Sequence, residues 1–181
     1  MFKPTSLLLC SFLSVPVFGA SLTIGDPCST KPWLTTSVEK AVGTSVGKIT
    51  IDALDANSIA YLGTDAGISS IKDSVLGMNA MEVVSPTELR AYGWCYRING
   101  IEPSLYANEV FLTSELDEIE WFFGFAHYKD GEWISMCEPT NRLKPLFICP
   151  LDKISDQESP LKQAEEPPTA ALPSNDSCSS L

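Results

Sequence analysis

Histidine is nearly missing from this sequence. A single residue, His127, stands among 181, which removes multi-histidine metal centres and most histidine-relay catalysis from consideration. Positive charge is scarce too: 12 Lys and Arg face 23 Asp and Glu, a net charge of −11. With a pI of about 4.4 the chain is repelled by nucleic acid and by anionic membranes, so neither is expected as a partner. No cysteines sit at C-x-x-C spacing, and H-E-x-x-H, a serine elbow, a phosphate loop and a D-x-D-x-D-G calcium loop are all absent. The expectation is therefore no catalytic residue, no metal and no cofactor. No apolar run reaches the roughly 20 residues that a membrane helix needs.

What is present separates the ends from the middle. Residues 1–20 have the three parts of a secretory signal: Lys3, the uncharged apolar run Leu7 to Val15, and small Gly19 and Ala20 at the cleavage site. Cutting is expected after Ala20 or after Gly19. Residues 151–181 carry Pro160, Pro167, Pro168 and Pro173, with six acids and two lysines from Asp152 onward. A segment so poor in large apolar groups cannot offset its ordering entropy, so a disordered acidic tail is expected. The domain proper is placed at 47–150, with 21–46 as an irregular lead-in.

Apart from Cys10 of the signal, the cysteines are Cys28, Cys95, Cys137, Cys149 and Cys178. Export to an oxidising compartment makes the first four candidates for two disulfides, with three connectivities open. Cys95–Cys137 is the favoured pair, since both lie in or beside strands of the aromatic half. Cys178, left over in the tail, is free or links to another chain, and the final destination is the periplasm or the cell exterior.

Within the middle, Gly47 to Leu54 alternates apolar Ile49, Ile51 and Ala53 with polar Lys48, Thr50 and Asp52 and reads as a half-buried strand, with a return strand at Ser58 to Leu62. A helix from Asp65 to about Met81 follows from Ile68, Ile71, Val75 and Met78 at steps of three and four. Tyr92, Trp94, Tyr96 and Ile98 then alternate with small or polar residues, giving a strand with one aromatic face that ends at the turn Asn99-Gly100. Val110 to Thr113 reads as a short strand. Glu118 to Tyr128 reads as a long one, joined through Asp130-Gly131 to Glu132 to Met136. That turn sets Lys129 opposite Glu132, Tyr128 opposite Trp133 and His127 opposite Ile134. The element order predicts an α+β fold, one helix over a mixed or antiparallel sheet.

Two motifs carry a family resemblance. Tyr92-Gly-Trp-Cys-Tyr-Arg-Ile-Asn-Gly100 and Glu115-Leu-Asp-Glu-Ile-Glu-Trp121 resemble a bacterial domain-of-unknown-function family related to the C-terminal β domain of transcobalamin and intrinsic factor. Gly93, Trp94, Tyr96, Ile98, Asn99 and Gly100 match the first motif. Asp117, Ile119 and Trp121 match the second, with Leu116 where the family usually has Gly. The likeness covers about Lys48 to Ser135 and implies a β-grasp-like (ubiquitin-like) fold. In the vitamin carriers the domain closes over cobalamin held on a helical barrel. This chain has no room for such a barrel, and no vitamin contact lies in the matched motifs.

For function, the aromatic half stands out: eleven of the fourteen aromatics after the signal lie between Tyr92 and Trp133. Adjacent Phe122 and Phe123 must face opposite ways in a strand. One face packs under the helix. The other is covered by loops, or else presents Phe122, Tyr128 and Trp133 as a ligand-binding platform. The acidic stretch Glu109, Glu115, Asp117, Glu118 and Glu120 reads as a solvated edge rather than a calcium site. The expected function is an exported, non-enzymatic binding module for a small molecule, a corrinoid among the candidates. The alternative is an envelope or extracellular interaction protein. A third reading, a small enzyme centred on His127, requires a carboxylate or hydroxyl within hydrogen-bond reach of that ring.

Overall fold

The computed structural model describes residues 19–139 and 147–149. The stretch expected to be a tail, with Cys178, and all of the segment read as a signal except Gly19 and Ala20 lie outside the described residues. The fold is α+β. Strands β1 (Ala20–Ile24) and β2 (Leu34–Val38) form an antiparallel hairpin, followed by helix α1 (Val46–Ala56) and a separate small hairpin of β3 (Tyr61–Thr64) and β4 (Gly67–Ile71). A short 3₁₀ turn at Gly77–Ala80 leads into β5 (Met81–Ser85), β6 (Glu88–Ile98), β7 (Glu118–Lys129) and β8 (Glu132–Pro139). The main sheet runs β2-β1-β7-β6-β5, with β8 also paired to β7. The first strand lies parallel to β7, pairing Ser21–Ile24 with Glu118–Trp121, and the other neighbours are antiparallel.

Residues 46–56 form a helix, not the strand that alternation suggested. The Ser45 side chain caps the helix by accepting from the Lys48 amide at 3.3 Å. Val46, Ile49, Thr50 and Leu54 then make a buried stripe at steps of three, one and four. Thr50 sits in that stripe because its hydroxyl donates to the Val46 carbonyl and accepts from the Trp121 indole N–H, each at 2.8 Å. The helix covers Leu22 and Ile24 of β1 and Ile119 and Trp121 of β7, all fully or almost fully buried in one core.

The stretch read as a helix from Asp65 is instead β4, a turn and the 3₁₀ segment. Lys72 and Asp73 have positive φ, which ends any helix, and Met78 is exposed. The strands β1 and β2 occupy much of the region taken as irregular lead-in. Residues 110–113 contribute only an isolated bridge, Ser45 to Phe111. The β7–β8 register places Lys129 opposite Glu132 and Tyr128 opposite Trp133 as expected. His127, however, faces Ser135, because a bulge takes up Ile134.

Two disulfides close the structure, Cys95–Cys137 and Cys28–Cys149. The first crosses the face of β7 above Gly124, where an added Cβ would lie 3.4 Å from the Cys95 sulfur and 2.8 Å from the Glu138 carbonyl. The second ties residues 147–149 to the β1–β2 connection. Among the described residues no helix is long and apolar enough to cross a membrane.

Asp117, only 6% exposed, fastens the end of the β6–β7 pair. Its carboxylate accepts from the Asn99 side chain at 2.9 Å and from the amides of Thr113 and Ser114 at 2.8 and 2.9 Å. The Asn99 bond, then the two amides, hold its pKa below the ordinary carboxylate value against the opposing pull of burial. The charged form is the one the fold favours. Its stabilisation is complete above the ordinary value of 3.8 and is lost as pH falls through the lower folded value. Asp117→Asn should therefore be less stable than wild type at pH 6, with the gap narrowing below about pH 4. Urea denaturation at both pH values measures this, and a gap that widens in acid would overturn it.

Candidate functional site

A concave part of the surface is made by three chain segments that meet over the aromatic face of the sheet. The β1–β2 connection supplies Asp26 to Trp33. It is closed by the Trp33 amide on the Ile24 carbonyl at 2.9 Å, and the Asp26 carboxylate accepts from the Cys28 amide at 2.7 Å. The connection after β4 supplies Lys72 to Val75. Its Ser74 hydroxyl accepts from the Ile71 amide at 3.1 Å and from the Trp94 indole at 2.8 Å, so the sheet itself positions the loop. Phe147 and Ile148 come third, brought in by the Cys28–Cys149 bridge.

These segments enclose a cleft of about 620 Å³, within the range of small-molecule sites. Phe123 of β7 reaches it from the sheet, and Trp33 and Phe147 line its sides. Behind them Trp94 packs at 5.7 Å from the Trp33 ring and 5.4 Å, edge-on, from Phe123. The apolar surface is therefore held by a packed aromatic layer rather than by a free loop. Around it stand Lys31, Lys72, Asp26 and Asp73, with the Lys72 ammonium 5.1 Å above the Trp33 ring. Among the described residues none of these four enters a salt bridge. A smaller depression of about 440 Å³ shares Asp73, Ser74 and Val75 with the cleft.

The residues expected from sequence lie elsewhere. Phe122, Tyr128 and Trp133 project from the opposite face of β7 and β8. Tyr128 and Trp133 pack edge-on at 5.3 Å, and Trp133 is 53% exposed. Phe122 does not join them. It lies about 20 Å along the strand, is only 9% exposed and has the Arg97 guanidinium 5.2 Å from its ring. Trp33, Lys72, Asp73 and Phe147 were not anticipated. The available sign was Trp33, a lone tryptophan five residues after a cysteine in otherwise polar sequence.

His127 meets the carboxylate of Glu88 at 3.0 Å, the partner that the third reading asked for. Glu88 also neighbours Arg90 at 3.8 Å and Lys129 at 3.7 Å, and Arg90 reaches Glu82 at 3.3 Å. Glu82 in turn accepts from the Tyr92 hydroxyl at 2.8 Å, and burial together with this carboxylate pushes the phenol up to about 12. The hydroxyl opposite His127, that of Ser135, is buried and makes no hydrogen bond. Among the described residues no group of three His, Cys, Asp or Glu side chains is placed to hold a metal ion. Against family models, curated proteins and solved structures, this chain finds no match.

Proposed function

We propose that this chain is an exported, non-enzymatic binding domain of the β-grasp kind, and that its small-molecule site is the cleft between Trp33, Lys72 and Phe147. The observation that carries this reading is the cleft itself: an open, mixed polar and apolar cleft of ligand size with Trp33, Phe123 and Phe147 in its lining and four charged groups that are not engaged with one another. The fold supports the β-grasp reading through its initial hairpin, its single helix and a first strand parallel to β7. Two disulfides support an oxidising compartment. Of the two cleavage positions, the one after Gly19 leaves β1 whole, since Ala20 opens that strand and is fully buried. The hydrogen bond to Glu88 gives His127 a structural place in the sheet.

The test is a thermal-shift panel on the oxidised chain, with corrinoids included because of the family resemblance. A ligand at a hundred times its dissociation constant adds about 2.7 kcal/mol. Trp33→Ala should abolish that shift, whereas Trp133→Ala should leave it intact. A shift that survives the first change and disappears with the second would move the site to the opposite face. A protein-interaction role is the second reading, favoured by exposed Trp133, Ile134 and Met136 on β8. It predicts a flat panel and a protein partner released by Trp133→Ala.

A further inference from the structure

We infer that the cleft takes a zwitterion with an apolar body, an aromatic amino acid or a short peptide with free ends, and that the turn Lys72-Asp73 is its charged clamp. The inference rests on the cleft being the binding site. Seven lysines and arginines lie among the described residues, and four of them, Lys48, Arg90, Arg97 and Lys129, are in salt bridges. Of the remaining three, Lys31 and Lys72 both line the cleft. They bring two positive charges into one cleft of a strongly acidic chain. Asp26 and Asp73 stand beside them without neutralising them. A ligand of one sign would satisfy one pair and be repelled by the other, whereas a zwitterion presents a carboxylate to the lysines and an ammonium to the aspartates. Its apolar body then has Trp33, Phe123 and Phe147 to pack against.

A second observation comes from the backbone. Lys72 and Asp73 have φ of +47° and +58°, and the Ser74 amide donates to the Ile71 carbonyl at 3.0 Å. Two successive positive φ angles inside such a bond mark a type I′ turn, which favours Asn or Asp followed by Gly. Where this fold needs only a tight turn it uses such pairs: Asn99-Gly100 and Asp130-Gly131 have the same signature. At 72–73 the lysine stands in a conformation that lysine rarely adopts, followed by an aspartate, which tolerates it, where the other two turns have glycine. Strain of this kind persists where the side chains are needed. Here it places an ammonium over Trp33 and a carboxylate between two depressions.

The test is calorimetric titration of the oxidised chain with tryptophan, with phenylalanyl-phenylalanine, and with the same dipeptide acetylated and amidated at its ends. At least one free-ended compound should bind, and capping the dipeptide should weaken it at least tenfold. The double variant K72N/D73G installs the preferred turn residues. It should raise Tm while weakening the free-ended ligand at least tenfold, a combination that a purely structural role cannot produce. Equal binding of the capped peptide, or unchanged affinity in the double variant, overturns the inference. If no free-ended compound binds while a corrinoid or neutral sugar does so through Trp33, the zwitterion fails and the cleft stands. If nothing binds through Trp33, both fail.

Discussion

Gly47→Ala is expected to cost about 3 kcal/mol or more, at or above the upper end for inserting a methyl group into a packed site. A domain of ordinary stability has 5–15 kcal/mol to lose, so a large fraction of the fold's margin would disappear. Gly47 sits in the first turn of α1, and a Cβ there would fall onto the carbonyl group of Asp65 in the β3–β4 turn. The obstruction is backbone against backbone, so no side chain can rotate away. The junction cannot open easily either. The Gly47 amide donates to the Ala107 carbonyl at 2.8 Å, and the Ala107 amide donates to the Ala66 carbonyl at 3.0 Å. Helix, hairpin and the loop before β7 are thus pinned at one point. Gly67→Ala serves as the control, because nothing lies within 4 Å of a Cβ at that site in the same hairpin. It should change stability by no more than about 0.5 kcal/mol. Guanidinium unfolding followed by tryptophan fluorescence compares the two. Equal stabilities would mean that α1 does not seat against the hairpin in this way.

The second large effect is expected from the double change Cys28→Ser and Cys149→Ser. This bridge joins residues 121 positions apart, and the chain-entropy relation gives about 5 kcal/mol for a loop of that length. The other bridge, with a separation of 42, gives about 4 kcal/mol by the same relation. The more informative difference lies in function. Cys95–Cys137 staples β6 to β8, strands already connected through β7 by backbone hydrogen bonds. Cys28–Cys149 holds Phe147 and Ile148 against the cleft. Removing the long bridge should therefore abolish ligand binding even at temperatures where the sheet remains folded. Removing the short one should lower Tm and leave affinity within about threefold at low temperature. Circular dichroism alongside calorimetry separates these outcomes, and retained affinity without the long bridge would place the ligand elsewhere.

The long strands were legible because each carries more than one signal. In β6 alternation from Tyr92 to Ile98 runs into the turn pair Asn99-Gly100, β7 runs into Asp130-Gly131, and the register through Tyr128 and Trp133 follows from turn length alone. The helix was not legible for a specific reason. Over Lys48 to Leu54, Ile49, Ile51 and Ala53 satisfy a period of two. The helical stripe depends on counting Thr50 as a core residue, which only its bond to Trp121 makes reasonable. The error at Ile68, Ile71, Val75 and Met78 is the reverse: spacing alone suggested a helix, and two left-handed residues at 72–73 interrupt it. Local periodicity has no access to either fact. The cleft was hidden for a topological reason, since its walls come from residues near 30, 73 and 147, which are brought together by a disulfide and by contacts with Trp94 on the sheet. Phe122 illustrates the limit of face assignment. It does lie on the side opposite the helix, yet Arg97 covers it.

The parallel pairing of β1 with β7 has a consequence for how the chain comes to be folded. The earliest strand has β2 on one side at once, but the neighbour on its other side is made only after nearly all the other elements. A chain delivered amino end first, from a ribosome or through a membrane pore, cannot bury Leu22 and Ile24 against Ile119 and Trp121 until that distant segment arrives. Contacts of such long sequence separation slow the search for the native state. The part of the core that holds β1 therefore cannot be completed until β7 has been delivered.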